Sequence, residues 1–195
     1  SLSLIRRLKN EVTDMFEGDY TIYGKHATYM KYLKEAKVFS RYIDVYMAGA
    51  VLGALYEKRA KQTASSDRAR IYADAFDTEH VRCNEIFKTV ILSDTSKPWS
   101  AEERANICFR YRDRMDEMAV PPVTQEELDI MKEAKKLFDE YVFGGIELLY
   151  DCFSGNAAMN ADEIVDCAYK TLFDQHDLIE NMQEDDDAKL LQPEY

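Results

Sequence analysis

The sequence predicts an all-α fold, a single compact helical domain of about six to seven helices built round a buried central helix near residues 40–60. Three observations carry that reading. Gly (7) and Pro (4) are scarce in 195 residues, and all-β folds consume both in their many turns. The chain is 46% hydrophobic and 12% aromatic, enough to fill a core and far from the composition of a disordered segment. Apolar residues also recur at helical spacing between recognisable caps.

Taken in order, Leu4, Ile5, Leu8, Val12, Met15 and Phe16 predict a first helix from Leu4 to Phe16, broken by Gly18-Asp19. Residues 20–38 interleave Tyr20, Tyr23, Tyr29 and Tyr32 with lysines and read as a loop followed by a helix. Tyr42 to Tyr56 is apolar nearly all round, the mark of a helix with no solvent face. Gly49 and Gly53 lie four apart on it, with Ala50 and Ala54 beside them. Small side chains there let a neighbouring helix come close. Ser66 or Asp67 is placed to cap one or two helices over 67–92.

Ser100-Ala101-Glu102-Glu103 and Thr124-Gln125-Glu126-Glu127 both match the capping box, in which hydroxyl and carboxylate each accept an orphan backbone N–H. The first opens a helix to about Met118, stopped by Pro121-Pro122. The second opens a helix through Phe143, which Gly144-Gly145 kinks or separates from residues 146–153. Asn160 caps a last helix to about Asn181. With no repeat and no linker, residues 1–181 read as one domain and 182–195 as an acidic, frayed tail.

The net charge of −12 is polarised. Residues 1–70 hold 13 Lys/Arg against 8 Asp/Glu (+5), whereas residues 71–195 hold 12 against 29 (−17). Lys31, Lys34, Lys37, Arg41, Lys58, Arg59, Lys61, Arg68 and Arg70 are therefore the candidate contacts to nucleic acid or to an acidic partner, since phosphates need only such cations and interleaved tyrosines can stack on bases. No stretch approaches the roughly 18 apolar residues of a membrane span, and Ser1 to Arg7 lacks the pattern of a secretory signal. The widely spaced Cys83, Cys108, Cys152 and Cys167 read as free thiols of a cytoplasmic protein.

Familiar chemistry is missing. Neither Gly49/Gly53 nor Gly144/Gly145 belongs to a phosphate-binding loop. Asp77-Thr78-Glu79-His80, with Cys83 on the same face, is a weak and incomplete metal-ligand pattern. Asp174-Gln175-His176-Asp177 places its ionisable groups on different sides of a helix. Carboxylate pairs such as Glu147 and Asp151 are commonplace on acidic helices. No catalytic residue, metal or cofactor is expected.

Three pieces of the chain together resemble one family. Asp44-Val45-Tyr46-Met47-Ala48-Gly49-Ala50-Val51-Leu52-Gly53, followed by Glu57-Lys58-Arg59, is similar to the central motif of small bacterial proteins associated with DNA phosphorothioation (dnd) systems. Ala101-Glu102-Glu103-Arg104 and Tyr141 to Leu149, with its Gly-Gly-hydrophobic-Glu core, resemble later pieces of that family. The likeness spans about residues 35–153; the basic turn lacks the family's usual glycine, and 112–140 and 155–195 are extended relative to it. The resemblance implies a non-catalytic accessory subunit of a DNA-modification or anti-phage defence complex, bound to a larger protein subunit. Two alternatives stand beside it: an acidic DNA-mimic inhibitor encoded by a phage or plasmid, motivated by the −17 balance of residues 71–195, and a small helical enzyme whose site is assembled from distant residues.

Overall fold

The computed structural model describes residues 16, 18–111, 114 and 121–154. In chain order these form β1 (Tyr20–Tyr23), α1 (Lys25–Glu35), α2 (Tyr42–Leu55), β2 (Arg68–Ile71), α3 (Ala73–Ser93), α4 (Ala101–Phe109) and α5 (Gln125–Ser154). The fold is thus helical, with five helices among the described residues. The helices expected at 4–16 and 160–181, and the tail, lie outside them, Phe16 excepted. The described residues up to Tyr150 belong to one compact unit.

One element departs from the all-helical expectation. β1 and β2 pair antiparallel, from Tyr20 opposite Ile71 to Tyr23 opposite Arg68, where the sequence pattern predicts the opening of a helix over 67–71. The reason lies in the alternation of Arg68-Ala69-Arg70-Ile71: Ala69 and Ile71 are buried and the two arginines exposed. That is a period of two, not of 3.6. Asp67 accordingly caps no helix following it. Its carboxylate accepts from the Thr28 hydroxyl at 2.6 Å and pairs with Lys31, and its carbonyl accepts from the Gly24 N–H at 3.0 Å. Gly24 has φ 69°, and a Cβ there would collide with Thr63. The cap of α3 comes instead from the start of β1, where Asp19 Oδ1 accepts the Ala73 N–H at 3.0 Å.

α2 is the central helix. Ile43, Val45, Tyr46, Gly49, Ala50 and Gly53 are buried along it, while Val51 and Leu55 remain about half exposed, at 47% and 54%. Its glycines meet those of α5. A Cβ on Gly49 would stand 2.9 Å from the Val142 carbonyl oxygen, and one on Gly53 would overlap the Tyr141 carbonyl. A Cβ on Gly145 would overlap the Gly49 carbonyl, and one on Gly144 the Lys58 carbonyl. The two helices touch backbone to backbone. Gly144-Gly145 therefore neither breaks nor ends the helix, which continues to Ser154. Each glycine costs about 1 kcal/mol in helix propensity, and the dispersion attraction between two closely packed backbones offsets it.

An aromatic cluster fills the adjoining core. Phe16 packs on Phe76, Phe87 and Phe138 with ring centroids 6.0, 6.4 and 6.0 Å away, and Tyr46 packs on Phe76 and Phe138 at 5.7 and 6.0 Å. Mostly edge-on geometries suit the ring quadrupoles.

Both capping boxes form. Glu103 N–H donates to Ser100 Oγ at 3.1 Å, and Glu127 N–H donates to Thr124 Oγ1 at 3.2 Å, each glutamate returning an acceptor to the cap residue's N–H. α4 ends at Phe109, short of the expected Met118, with Arg110 at φ −120° outside the helical region.

Candidate nucleic-acid interface

Four of the nine candidate cations gather in one place. A concavity of about 640 Å³ beside the strand pair is lined by Lys34, Arg41, Arg68, Arg70, Tyr42 and Tyr72, and by the carboxylate-bearing Asp74. Each cation arrives by a local rule. Lys34 lies in the last turn of α1, where the helix dipole favours positive charge. Arg41 is the extended N-cap residue of α2. Arg68 and Arg70 are the outward positions of β2.

Their availability differs. Arg41 grips Asp44 through Nε (3.0 Å) and Nη2 (2.6 Å) and also reaches Glu79 Oε1 at 2.9 Å. These bonds, to Asp44 first and then Glu79, hold its guanidinium still more firmly protonated, but they also neutralise its field. Arg70 Nη1 lies 3.5 Å from Asp19 Oδ2. Lys34 Nζ sits 4.7 Å from the centre of the Tyr42 ring. The Arg68 side chain forms no ion pair among the described residues and is exposed. Tyr72 is 59% exposed, an aromatic face open to a stacking partner. Arg68, Lys34 and Tyr72 are the groups ready to bind.

The other candidate cations divide. Lys31 is held by the Asp67 carboxylate, whose hydrogen bonds from Lys31 and Thr28 keep it below the usual carboxylate range. Lys37 occupies the turn after α1 at φ 57° and does not line the groove. Lys58 Nζ lies 3.9 Å from Glu147 Oε2. Arg59 donates to Ser96 Oγ at 3.0 Å and lies 5.9 Å from the Tyr141 ring centre. Lys61 lines a different concavity. The tyrosines that the sequence interleaves with lysines mostly pack inward: Tyr20 against Tyr46 at 5.6 Å, Tyr29 stacked on Tyr150 at 3.8 Å, and Tyr32 edge-on to Tyr150 at 5.3 Å. Tyr42 and Tyr72 do not stand out in the sequence as site residues; the signal for Tyr72 is the two-residue alternation that runs into it from Arg68.

The sequence's candidates for catalysis or metal binding have structural partners. Glu79 is spanned by Arg41 and Arg82, and the His80 ring is within hydrogen-bond reach of the Asn84 amide, 3.1 Å from Nε2. Burial pushes the thiols of both Cys83 and Cys108 up to about 11, so neither is a ready thiolate nucleophile near neutral pH. Among the described residues no group of three His, Cys, Asp or Glu converges on a point a metal could occupy. Asp174 to Asp177 and Cys167 lie outside the described residues.

Two polar hubs brace the helices. Asp94, with a fully buried side chain, accepts from Tyr141 Oη at 2.6 Å, Ser96 Oγ at 2.7 Å and Lys97 N–H at 3.1 Å, and lies 3.5 Å from Arg104 Nη1. Desolvation alone would raise its pKa, yet the bonds from Tyr141, Ser96 and the backbone hold it below the usual value. Arg104 also donates to the carbonyls of Ile91, Lys97 and Trp99 at 3.0, 2.8 and 3.2 Å, closing the α3–α4 connection. Glu147 receives Lys25 Nζ at 2.7 Å and His26 Nε2 at 3.0 Å on one oxygen. The α2 segment, the Lys58-Arg59 turn, Arg104 and the Tyr141–Glu147 stretch thus form one continuous packing unit.

No protein-family model matches the chain, and no curated protein or solved structure is significantly similar to it. Among the described residues no helix is long and apolar enough to cross a membrane.

Proposed function

We propose that the chain is a non-catalytic binding subunit of a bacterial DNA-modification or anti-phage complex, which holds nucleic acid in the groove beside β2 while a larger protein subunit does the chemistry. The observation that carries the binding clause is the convergence of Lys34, Arg41, Arg68 and Arg70 with Tyr42 and Tyr72 around one concavity, on a chain whose net charge is −12. Arg41 and Arg70 are paired with carboxylates there. Arg68 stands unpaired among the described residues, beside an exposed tyrosine. Phosphates would meet Arg68 and Lys34, and a base would stack on Tyr72.

The modification-system clause is supported by the likeness of residues 35–153 to phosphorothioation-associated proteins.

The test is fluorescence anisotropy with labelled single- and double-stranded DNA over graded salt. Binding at about 50 mM salt that weakens steeply as salt rises is expected. The pair Lys34→Glu and Arg68→Glu should weaken it at least about tenfold and flatten the salt slope by about 2. No binding at about 50 mM salt removes the nucleic-acid clause. A pulldown from the native host tests the other clause, with a nuclease, ATPase or methyltransferase expected to co-purify.

A further inference from the structure

A second concavity, of about 580 Å³, is bounded by α5, by Lys61 and Gln62, and by Tyr20. It is a shallow depression, open to solvent. Lys132, Lys135, Lys136, Asp139 and Phe143 line it from α5, at spacings of three and four that place them on one stripe of the helix. Lys61 faces that stripe because its chain is pinned there. Ala60 N–H donates to the Glu140 carbonyl at 2.9 Å, and Lys58 rests on the bare Cα of Gly144. The glycine that allows the basic turn to dock on α5 therefore also builds the wall of the concavity.

Its charge is anomalous for so acidic a chain. Four lysines converge, against the carboxylates of Asp139 and Glu140. Lys135 is already engaged, 3.3 Å from Asp139 Oδ2 and 5.4 Å from the Tyr20 ring centre. Asp139 itself is turned towards Tyr46 Oη, 3.5 Å away. Lys61 and Lys136 are exposed and form no ion pair among the described residues. Like charges held together around an open depression repel one another, and an anion between them relieves that repulsion.

We propose that this concavity binds a small polyphosphate-bearing ligand, its phosphates held between Lys61 and Lys136 and its uncharged part lying against the half-buried Tyr20 ring. The site is separate from the groove beside β2 and does not rest on the nucleic-acid reading. Free polyphosphate and a nucleoside polyphosphate share the recognised chemistry and differ in whether the Tyr20 ring is used.

Isothermal titration calorimetry of the full chain with inorganic triphosphate and with ATP, at low salt, is the test. We expect one ligand per chain with Kd below about 1 mM for both. ATP should bind more tightly if the ligand is a nucleotide, and equally if it is the free polyphosphate. Lys61→Glu and Lys136→Glu should each weaken binding at least about tenfold. Both lysines are exposed, so the variants should retain the wild-type circular dichroism and melting temperature; Lys61→Gln and Lys136→Gln repeat the test without charge reversal. Absence of heat with either probe at millimolar concentration overturns the proposal. So does binding that ignores both lysines. A DNA strand that competes with triphosphate and is itself weakened by Lys136→Glu would make the concavity part of a nucleic-acid surface, which also overturns it.

Discussion

The crossing of α2 and α5 and the groove beside β2 are opposite uses of short sequence patterns. At the crossing, Gly49, Gly53 and Gly145 remove side chains so that two backbones meet directly. In the groove, two-residue alternation pushes Arg68 and Arg70 out of a strand whose other face is sealed by Ala69 and Ile71. One region is tolerant of nothing larger than hydrogen. The other holds its charge on side chains that end in solvent. Stability and binding are therefore expected to separate cleanly between them, and substitutions in each should show it.

The largest effect belongs to the crossing. In Gly145→Ala the new methyl falls on the Gly49 carbonyl, and in Gly53→Ala on the Tyr141 carbonyl. Neither neighbour is a side-chain tip that can swing aside. Each substitution should destabilise by about 3 kcal/mol or more, read as a lowered midpoint in urea denaturation. Helix propensity alone predicts the reverse, a stabilisation of about 1 kcal/mol from replacing glycine by alanine. A midpoint that rises would show that the two backbones do not touch.

Next comes the Asp94 hub, which joins the α3–α4 connection to α5. Asp94→Ala strands the buried Tyr141 hydroxyl and removes the carboxylate facing Arg104, and should cost about 2–3 kcal/mol. Asp94→Asn keeps the shape and should cost less. Because the folded pKa of Asp94 is depressed, its contribution is present above the unfolded carboxylate value, about 3.9, and is lost as pH falls through the folded one. Asp94→Asn should therefore flatten the acid limb of the stability curve; an unchanged limb would locate the acid sensitivity elsewhere.

How legible the two regions are in the sequence follows from the range of the interactions that make them. The capping boxes are contained within four residues, so Ser100/Glu103 and Thr124/Glu127 form as their local pattern dictates. Gly49 and Gly53 announce a close approach by their spacing, but not the identity of the helix approaching. Gly144-Gly145 is open to two local readings, a kink or a break, because the partner that explains it lies nearly a hundred residues away. The strand pair is hidden for the same reason. Four residues of alternation in β2 gain meaning only when Tyr20 to Tyr23 is alongside. The site fares likewise: Lys34, Arg41, Arg68 and Arg70 are among the nine candidate cations, but charge counts do not separate them from Lys31, Lys58 and Arg59, whose carboxylate, hydroxyl and ring neighbours come from distant segments.

A smaller effect lies at the edge of the crossing, where His26 is fully buried against Phe143 and hydrogen-bonded to Glu147. Its Nδ1 has no partner among the described residues. Burial lowers the His26 pKa below its ordinary 6.5, the Glu147 bond pulling only partly the other way. The folded state then takes up the proton less readily than the unfolded chain. Stability contributed by the neutral ring is present above about pH 6.5 and falls as pH drops towards the folded value, by at most about 1.4 kcal/mol per pH unit. The depressed Glu147 and Glu127 lose their contributions only below about pH 4.5, so the windows do not coincide. His26→Phe should remove the slope that begins below about pH 6.5 in thermal melts, and a slope that persists would assign it to another group.

The smallest effect completes the contrast. Arg68→Ala removes an exposed guanidinium with no ion pair among the described residues, and Lys34→Ala removes a cation that lies over the Tyr42 face. Surface changes of this kind should move folding stability by no more than about 0.5 kcal/mol. Binding of DNA at low salt should nevertheless weaken by about one unit of salt slope for each charge lost. Urea denaturation and anisotropy on the same two proteins decide the matter. If either variant proved as destabilising as a glycine substitution at the crossing, the groove cations would be part of the fold, and the binding role assigned to them would lose its support.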